Sequence, residues 1–497
     1  SKKIGGESMK TKIILAYPPY IQYAGYGQPK RWLPLGITYI GACLESFFKK
    51  EIADGDLEVI LLDLFGCNFG TSVDIIKNIV NPGEKILVGF TCMTEQRMSV
   101  FIMARLLKLA IPGIQIAVGG PHATLMHEQI IKTYYMYIDY IVLGEGEESF
   151  KELVMVSIDF SKGHVFNAIP GIVTASNPNP EKRMPIDNIS TLPHAINGVK
   201  LFKNIGRLEA EAPMIFSRGC TASCAFCSTT KFWKGYRSRT AEDVFSEMLE
   251  WHYLYGANGF KFHDDASTAN VEEWKKLCRI MVENWTSKAL IKAGIWKYEI
   301  TARADQMDDE LIELLARSGC KRIAFGIETG SEAMLKAMNK RLDMSVAINT
   351  LKKVREKGIE VVGLFVIGFP GESEETINRT CELIRNAKPD VVCASPLMVF
   401  PGTKVYADCV KSGWIDDSYW LKDKPQPYYT QEQPMEKLNE WANKVTGATL
   451  CVNYRYMYRR WIQHTELSRI VISSRYKSIY RMDRMRSLPL RSMIASD

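Results

Sequence analysis

The chain has 497 residues, of which 46% are hydrophobic and 24% charged, an ordinary globular composition with room for two or three domains. No stretch reaches the roughly 18 apolar residues of a membrane span, so a soluble protein is expected. The net charge of +7 lies at the C-terminus, where ten Lys and Arg residues stand against Glu466 and Asp483 between Arg455 and Arg491, and no recognised nucleic-acid-binding module accompanies it.

The first third of the chain predicts a parallel α/β sheet. Residues 1–8 precede Met9 and are interpreted as a tag remnant. Over residues 10–160, apolar runs alternate with helical periodicity, which is typical of a doubly wound, Rossmann-like sheet that is buried on both faces. The five predicted strands are 13–16, 59–62, 86–90, 114–118 and 138–143.

Turn residues follow the ends of these strands. They are Tyr17, Pro18, Thr91, Gly119, Gly120, His122, Gly144, Glu145 and Gly146. Ligands of such folds bind outside the carboxyl ends of the strands, where glycine lets a ligand approach the backbone, so we expect one large ligand across these loops. A dinucleotide is the alternative, but no G-x-G-x-x-G follows the first strand. The long loop 20–33, with Tyr23, Tyr26 and Trp32, is typical of functional loops.

A second series of strands and helices predicts a partial (β/α)6 barrel of the TIM type over residues 211–410. Residues 161–210 before it lose periodicity and gain Pro and Asn, which indicates a linker with room for a small hairpin. The six predicted strands are 213–216, 259–262, 298–302, 322–327, 361–367 and 391–395. Functional residues of such barrels lie at the carboxyl ends of the strands.

Three cysteines, Cys220, Cys224 and Cys227, form a C-x3-C-x2-C loop directly after the first barrel strand. A cubane iron–sulfur cluster normally takes four cysteine ligands, so three leave one iron open for an exchangeable ligand. A structural zinc site would need a second Cys/His pair, and the nearest candidates, His252 and Cys278, lack the paired spacing.

The remaining cysteines indicate a reducing compartment. Most stand singly in apolar contexts, as Cys43, Cys278, Cys320 and Cys393 do. We therefore expect reduced core residues in a cytoplasmic enzyme and no disulfide at the three-cysteine loop.

Polar side chains and glycine-rich turns follow four further barrel strands. They are Asp264, Asp265, Arg303, Glu328 and Gly368. A helix cap or a surface turn explains any one of them, and it is the expectation for Asp308 and Asp309, which precede a helix. As a set they converge on one barrel mouth, where a carboxylate and a guanidinium together can bind an amino-acid zwitterion.

The cysteine loop, with the aromatic Phe226 before its last cysteine, resembles the signature of the radical S-adenosylmethionine (SAM) enzymes. The preceding elements Tyr17-Pro-Pro, Gly119-Gly-Pro-His-Ala-Thr and Leu143-Gly-Glu-Gly-Glu are similar to the cobalamin-binding members of that family, and the resemblance covers residues 10 to about 410. It implies a [4Fe-4S] cluster on the three cysteines and a corrinoid across the turn residues of the first domain. No Asp-x-His-x-x-Gly run is present, so no histidine lower ligand is expected, and His122 lies near the corrin edge or caps a helix.

The resemblance also assigns the SAM contacts. It places Phe226 beside SAM, Glu328 and Arg303 on its ribose and carboxylate, and the backbone of Ile367 and Gly368 on its adenine. Many members carry Gly-Gly-Glu where this chain has His-Asp-Asp-Ala, so either Asp264 or Asp265 is expected to bind the amino group.

The implied activity is C-methylation of an unactivated carbon. An electron from flavodoxin or ferredoxin reduces the cluster, which cleaves SAM to a 5′-deoxyadenosyl radical. The radical removes hydrogen from the substrate, and methylcobalamin, formed with a second SAM, delivers the methyl group. The alternatives are a hopanoid-type lipid methylase, a porphyrin-ester cyclase, a methylthiotransferase with a second cluster at Cys43, Cys67 and Cys92, and a non-catalytic corrinoid or SAM sensor.

Residues 411–497 predict a mostly helical region. An aromatic stretch at 414–429 is a candidate cover for the barrel mouth. Apolar residues then recur at helical spacing among arginines, at Tyr454, Met457, Tyr458, Trp461 and Ile462. Three interpretations of such a basic helix are open: its charged face is simply solvated, it docks an acidic protein or peptide, or it contacts a membrane surface. Together with the long loops it favours a protein or peptide side chain as the methyl acceptor.

Overall fold

A computed structural model describes residues 10–21, 33–158, 166–204 and 211–450. It divides into two units, 1–449 and 450–497, and all described residues except Leu450 belong to the first. The predicted loop residues Tyr23, Tyr26 and Trp32 and the predicted basic helix around 454–462 lie outside the described residues. None of the helices within the described ranges combines the length and the apolar character that crossing a bilayer requires.

Six strands form the sheet of the N-terminal domain: β1 (Thr11–Tyr17), β2 (Leu57–Asp63), β3 (Lys85–Thr91), β4 (Gln115–Gly119), β5 (Tyr140–Val142) and β6 (Ile172–Val173). Their order is β2-β1-β3-β4-β5-β6, with β1 to β5 parallel and β6 antiparallel to β5. All five predicted strands are confirmed. Successive residues face opposite layers, so Ile14 and Ala16 join one buried apolar cluster and Ile13 and Leu15 join the other.

Helices cover both faces of this sheet: α1 (Leu35–Phe47), α2 (Lys49–Ala53), α3 (Phe69–Asn78), α4 (Arg97–Ala110), α5 (Pro121–Leu125), α6 (His127–Tyr134) and α7 (Gly146–Ile158). Asn68 caps helix α3, because its side chain accepts a hydrogen bond from the Thr71 N–H at 2.8 Å. The doubly wound architecture that the sequence predicted is therefore present.

The stretch predicted as a linker is ordered structure over its described part, 166–204. It supplies β6 and a short helix, α8 (Ile196–Val199), which packs so closely on α1 that a Cβ at Gly198 would lie 2.2 Å from the Thr38 carbonyl oxygen. The Leu61 N–H donates to the Leu201 carbonyl at 2.9 Å and extends the sheet at its β2 edge. No periodic pattern was visible here because β6 has two residues and α8 has four, and neither is long enough for an amphipathic period to repeat.

The second domain is a six-stranded partial barrel with a small hairpin beside it. Its strands are β7 (Glu211–Met214), β8 (Ser217–Arg218), β9 (Arg237–Ser238), β10 (Gly259–Phe262), β11 (Lys297–Ala302), β12 (Cys320–Glu328), β13 (Glu360–Ile367) and β14 (Val391–Pro396). The barrel order is β14-β13-β12-β11-β10-β7, all parallel, and β8 pairs with β9 in the hairpin. The partial barrel is thus confirmed. Its first strand ends two residues earlier than predicted, because the Phe216 N–H donates to the Asp264 carboxylate instead of to a strand.

Ten helices accompany the second domain in the described residues: α9 (Thr229–Phe232), α10 (Ala241–Tyr255), α11 (Val271–Glu283), α12 (Trp285–Lys292), α13 (Asp309–Arg317), α14 (Glu332–Ala337), α15 (Met344–Glu356), α16 (Glu374–Ala387), α17 (Lys404–Lys411) and α18 (Met435–Leu450). Asp308 accepts a hydrogen bond from the Leu311 N–H at 2.8 Å, which confirms its predicted role as the cap of α13.

Alternate strand residues point into the barrel and form a row of charges across it. Lys261, Glu299, Arg322 and Glu360 are neighbours in register on β10 to β13. Arg322 lies 2.9 Å from Glu299 and 2.7 Å from Glu360, and Lys261 lies 4.0 Å from Glu299. Cross-strand pairs of opposite charge stabilise a sheet. The barrel interior therefore has a charged floor toward the amino ends of its strands.

The aromatic stretch after α17 packs on the N-terminal domain. Trp420 is fully buried, its carbonyl accepts a hydrogen bond from Arg97 Nε at 3.0 Å, and the Arg97 guanidinium lies 5.3 Å from its ring centroid. Farther on, α18 packs on the barrel, where Leu438 meets the turn at Gly368. The stretch is thus a strap between the two domains, whereas the sequence suggested a cover over the barrel mouth.

Candidate active site

The three-cysteine loop begins after β8 with a glycine, and any other residue at this position would displace the neighbouring backbone. Gly219 has a φ of +86°, and a Cβ there would lie 2.0 Å from the carbonyl oxygen of Gly235. Farther along the loop, the Ala225 N–H donates a hydrogen bond to the Met338 carbonyl at 2.8 Å. Backbone contacts therefore fix the loop between the β8–β9 hairpin and the turn after α14.

Cys220, Cys224 and Cys227 are all partly exposed on this loop. Burial raises the pKa of the Cys224 and Cys227 thiols, and the Lys340 charge opposes that rise at Cys224. Over the described ranges, no three Cys, His, Asp or Glu side chains lie close enough together to hold a single metal ion. Because each cysteine of a cubane binds a different iron, thiols spaced around one loop fit such a cluster better than a mononuclear zinc site.

The cysteines proposed for a second cluster lie apart. Cys43 is buried within α1, the helix whose Ile37 and Leu44 pack on one face of the sheet, whereas Cys92 belongs to the apolar cluster on the other face. Burial raises the pKa of both thiols to about 12. Cys67 is partly exposed, and no group that could bind a metal ion is found around it in the described part of the chain.

Three of the singly placed cysteines, Cys43, Cys278 and Cys320, are buried core residues, as predicted. Cys393 is exposed, which corrects the prediction for it. It lies on β14, the edge strand of the open barrel, and along one edge this strand has no neighbouring strand in the described sheet.

Arg303 lies just past the carboxyl end of β11 and is 8% exposed. Its Nε and Nη2 donate to the two carboxylate oxygens of Asp305 at 3.0 and 2.7 Å, and Nη2 also lies 3.2 Å from the Lys340 carbonyl. The Nε and Nη2 donors of the Arg303 guanidinium are therefore already occupied by Asp305 and by the backbone at Lys340. In this structure Arg303 thus ties the turn that follows α14 to the carboxyl end of β11.

Glu328 ends β12 in a left-handed backbone conformation, with a φ of +69°, which is rare and costly for a residue other than glycine. Its Oε1 accepts a hydrogen bond from Lys340 Nζ at 2.8 Å, and both side chains are buried. Gly326 makes room for the pair, since a Cβ there would lie 2.6 Å from Glu328 Oε1 and 3.0 Å from Lys340 Nζ. Glu328, Lys340 and Arg303 all act electrostatically on Cys224, so the structure gathers them at the cysteine loop.

Sequence reasoning missed Lys340. It follows α14 in a loop, where neither periodicity nor the end of a strand marks a functional residue. The charged floor of the barrel was also missed, although its signal was available: four consecutive barrel strands, β10 to β13, each carry a charged residue in an otherwise mostly apolar run.

The two aspartates after β10 have different surroundings. Asp264 is buried, and its Oδ1 accepts hydrogen bonds from the backbone N–H groups of Phe216 and Ser217 at 2.9 and 2.5 Å. Burial raises the Asp264 pKa to about 6 against the lowering effect of these hydrogen bonds. Asp265 is exposed and accepts a hydrogen bond from the Thr229 hydroxyl at 2.9 Å. Asp264 thus shapes the backbone that enters the cysteine loop, and Asp265 is the one that faces outward.

The turn after β13 meets the cysteine loop through two aromatic rings. Ile367 ends the strand, and Gly368 follows with a φ of +82° and donates its N–H to the buried carboxylate of Glu372. Burial raises the Glu372 pKa to about 7. The Phe226 ring meets the Phe369 ring edge-on at 6.4 Å. This contact brings Phe226 and the Gly368 turn to the same side of the barrel mouth.

The strand order of the first domain creates a crevice. Strand β1 lies between β2 and β3, so the topological switch point is at the carboxyl ends of β1 and β3, where ligands of such sheets bind. Six of the predicted residues lie along this edge or next to it: Tyr17, Pro18, Thr91, Gly119, Gly120 and Gly144. Gly144 has a φ of +66° and open space where a Cβ would be. An open edge with bare backbone fits a large planar ligand such as a corrinoid.

His122 lies behind this edge rather than on it. Its side chain is fully buried and does not cap α5, which overturns the helix-cap interpretation. Nδ1 lies 3.3 Å from Thr94 Oγ1, the ring meets Trp420 edge-on at 5.8 Å, and Nε2 has no hydrogen-bond partner within the described residues. Burial, helped by the Arg97 charge, lowers the His122 pKa to about 3, so the imidazole is neutral.

Glu145 is bound by the second domain. Its Oε1 accepts a hydrogen bond from Arg218 Nη1 at 2.7 Å, and its Oε2 accepts from Arg237 Nη1 at 2.8 Å and from the Ile186 N–H at 2.9 Å. Burial raises the Glu145 pKa, but the two arginines outweigh it and the net shift is downward. The carboxylate therefore joins the domains, and Gly146, next to it, packs against Ile40.

Comparisons with known proteins agree with this division of the chain. The Radical SAM superfamily matches residues 214–384, and the B12 binding domain matches residues 29–154. An uncharacterised methyltransferase of Pyrococcus horikoshii is 26% identical over 462 residues, which are 90% of this chain and 93% of that protein. The cytidylyl-2-hydroxyethylphosphonate methyltransferase of Streptomyces wedmorensis is 26% identical over 82% of this chain and 84% of its own.

A solved structure has the same fold. It is the radical S-adenosylmethionine methyltransferase TsrM from Kitasatospora setae with cobalamin and a [4Fe-4S] cluster bound, which superposes with a TM-score of 0.61 at 17% identity over 88% of this chain and 82% of that chain. The Radical SAM match contains the three-cysteine loop, Arg303, Glu328 and Lys340, and the B12 match contains most of the crevice. With a [4Fe-4S] cluster, SAM and cobalamin as its cofactors, the chain belongs to the cobalamin-dependent radical SAM enzymes.

Proposed function

We propose that this enzyme is a C-methyltransferase acting on an unactivated carbon of a protein or peptide side chain. The observation that carries the proposal is the gathering of the cysteine loop, Glu328 and Lys340 at one barrel mouth, with Arg218 joining that mouth to the corrinoid crevice at Glu145. The bound cofactors supply the radical and the methyl group, and the chain supplies positions and charges.

In this proposal the three cysteines hold the cluster and nearby side chains hold SAM. Glu328 accepts a hydrogen bond from the ribose, Asp265 binds the amino group, and the turn at Gly368 borders the adenine. Lys340 binds the carboxylate, because its ammonium has three donors and gives one to Glu328. Arg303 supports the site from behind, since Asp305 already occupies its guanidinium fork.

Tyr17, Pro18, Thr91 and the glycines of the β4 and β5 turns would hold the corrinoid along the crevice. Tyr17 is mostly buried there and its ring stacks on Phe65 at 6.1 Å, so it offers a fixed wall. Among the described residues, His122 lies next to this crevice, and it does not suit the role of a lower ligand because its imidazole is buried beside Trp420.

The acceptor assignment rests on charge. The ten basic residues between Arg455 and Arg491 suit an acidic protein or peptide. The charged floor of the barrel disfavours a hopanoid-type lipid, since packing hydrocarbon against charges removes their hydration without compensation. We further propose flavodoxin or ferredoxin as the electron donor and the cytoplasm as the location.

The test is anaerobic reconstitution with iron, sulfide, cobalamin and methyl-labelled SAM, followed by incubation with a lysate and a reducing system. Mass spectrometry is expected to find the label on a carbon of a protein or peptide. Label confined to the lipid fraction would overturn the acceptor, and a fully loaded protein that forms no 5′-deoxyadenosine would favour a non-catalytic sensor.

A further inference from the structure

Arg218 connects the two cofactor-bearing loops of the enzyme. It ends β8, two residues before Cys220, and its Nη1 and Nη2 donate to Glu145 at 2.7 Å and to Glu147 at 2.6 Å. These glutamates flank Gly146, at the start of α7 and next to the Gly144 turn of the corrinoid crevice. The side chains are only 5 to 7% exposed, so water hardly screens the pairs.

A second arginine completes the network. Arg237 stands opposite Arg218 in the β8–β9 hairpin and donates to Glu145 at 2.8 Å and to the Ile186 carbonyl at 2.6 Å. Two arginines thus face Glu145 and Glu147, and the charges balance. A balanced, buried network in which one guanidinium bridges two carboxylates holds one geometry, and removing one member leaves a buried charge without its partner.

Aromatic rings fix the plane of the Arg218 guanidinium. Its central carbon lies 5.5 Å from the ring centroid of Tyr39, in α1 of the first domain, and 5.3 Å from that of Trp233, which follows α9 in the second. A planar guanidinium can stack between two rings and bind two carboxylates at once, whereas the ammonium of a lysine cannot reproduce both contacts.

We propose that Arg218 is a positioning residue that sets the distance between the corrinoid and the iron–sulfur cluster. The inference rests on the proposed function. Both ends of the network are within two residues of a loop that borders a cofactor, so a change in the network moves one loop against the other. A misplacement of about 1 Å costs roughly 10²-fold in a reaction that depends on alignment. The expected defect is therefore in the coupling of the two half-reactions, while each cofactor still binds.

The experiment compares the reconstituted wild type with Arg218→Lys and Glu147→Gln. The control is Arg183→Lys. Arg183 also pairs with a glutamate, Glu152, at a distance of 2.5 Å, but this pair does not involve the barrel. The reduced cluster and cob(II)alamin are both paramagnetic, so their dipolar interaction in pulsed electron paramagnetic resonance reports the distance between them directly. We expect a narrow distance distribution in the wild type and the control, and a broader or shifted one in both test variants.

Turnover gives a second readout. In Arg218→Lys the 5′-deoxyadenosine formed per methyl group transferred should rise about tenfold or more, with iron and cobalamin contents unchanged. Distances and coupling ratios equal to the wild type in both variants would overturn the inference. If Arg218→Lys fails to fold, Glu147→Gln decides alone, since it preserves the shape of the site. A wild type without a cob(II)alamin signal would instead refute the proposed function.

Discussion

Lys340 Nζ lies 2.8 Å from Glu328 Oε1, and Gly326 provides the space that the pair occupies at the barrel mouth. Neither residue is adjacent to the cysteine loop in sequence, yet both act electrostatically on Cys224. The pair therefore places one cation and one anion beside the position where the open iron of the cluster is expected. A ligand with an amino-acid moiety needs both.

Lys340→Met should weaken the binding of ligands that carry a carboxylate. We expect the Kd of S-adenosylhomocysteine to rise about 10- to 100-fold, because a charge-assisted hydrogen bond contributes about 1.5 to 3 kcal/mol. The Kd of 5′-methylthioadenosine, which lacks the amino-acid moiety, should stay unchanged. Calorimetry on the reconstituted protein measures both, with the exposed Lys336→Met as the control. Equal weakening of the two ligands would mean that Lys340 only shapes the site.

Cys224→Ala should abolish the cluster. The iron content should fall from about four per chain to well below that, because two cysteines do not retain a cubane, and 5′-deoxyadenosine formation should cease. The exposed Cys393→Ser should keep both properties. About eight irons per wild-type chain would contradict the single-cluster assignment and support a methylthiotransferase. Iron and labile sulfide assays decide.

Gly219→Ala should destabilise the cysteine loop. At a φ of +86° an alanine costs about 1 to 3 kcal/mol from backbone conformation, and its Cβ would overlap the Gly235 carbonyl oxygen at 2.0 Å. We expect a lower Tm and reduced iron incorporation after reconstitution. Gly66→Ala is the matched control, since a Cβ there meets no atom within 4 Å. If Gly219→Ala had the same iron content as the wild type, the β8–β9 hairpin would have moved to accommodate the alanine without any effect on cluster binding.

The contribution of His194 to stability should depend on pH. Nε2 lies 2.9 Å from Asp243 and Nδ1 lies 2.9 Å from Glu250. Burial lowers the His194 pKa, but the hydrogen bond to Asp243, the charge of Glu247 and the hydrogen bond to Glu250 raise it to about 9. Because this pKa is above that of the unfolded chain, the stabilisation is complete below about pH 6.5 and is lost as the pH rises through about 9.

The test of this dependence is thermal unfolding of His194→Gln without cofactors. At pH 6 the variant should lose on the order of 2 to 3 kcal/mol, and above pH 9.5 its Tm should approach that of the wild type. His127→Gln, whose imidazole contacts the Thr124 carbonyl, serves as the control. A Tm difference that is the same at both pH values would refute the ion-pair account.

The sequence alone determined the architecture and marked the three cysteines that are the expected cluster ligands. The strands of the first sheet are apolar on both faces and those of the barrel are apolar on the face that helices cover, so every strand of the two six-stranded sheets except β6 could be predicted from a short apolar run. The spacing of Cys220, Cys224 and Cys227 is local, so it survives in the sequence as a motif. The cap at Asp308 could be predicted from the sequence for the same reason, since a capping residue acts within one turn of its helix.

Only the tertiary structure decided which polar groups face a ligand. Asp264 and Asp265 are neighbours in sequence, yet one binds the backbone at Phe216 and the other is exposed. Arg218 and Glu145 pair although 73 residues separate them, and Arg97 binds the Trp420 carbonyl across 323 residues. Such partners are set by where the folded domains bring remote segments together, and neither periodicity nor spacing along the chain carries that information.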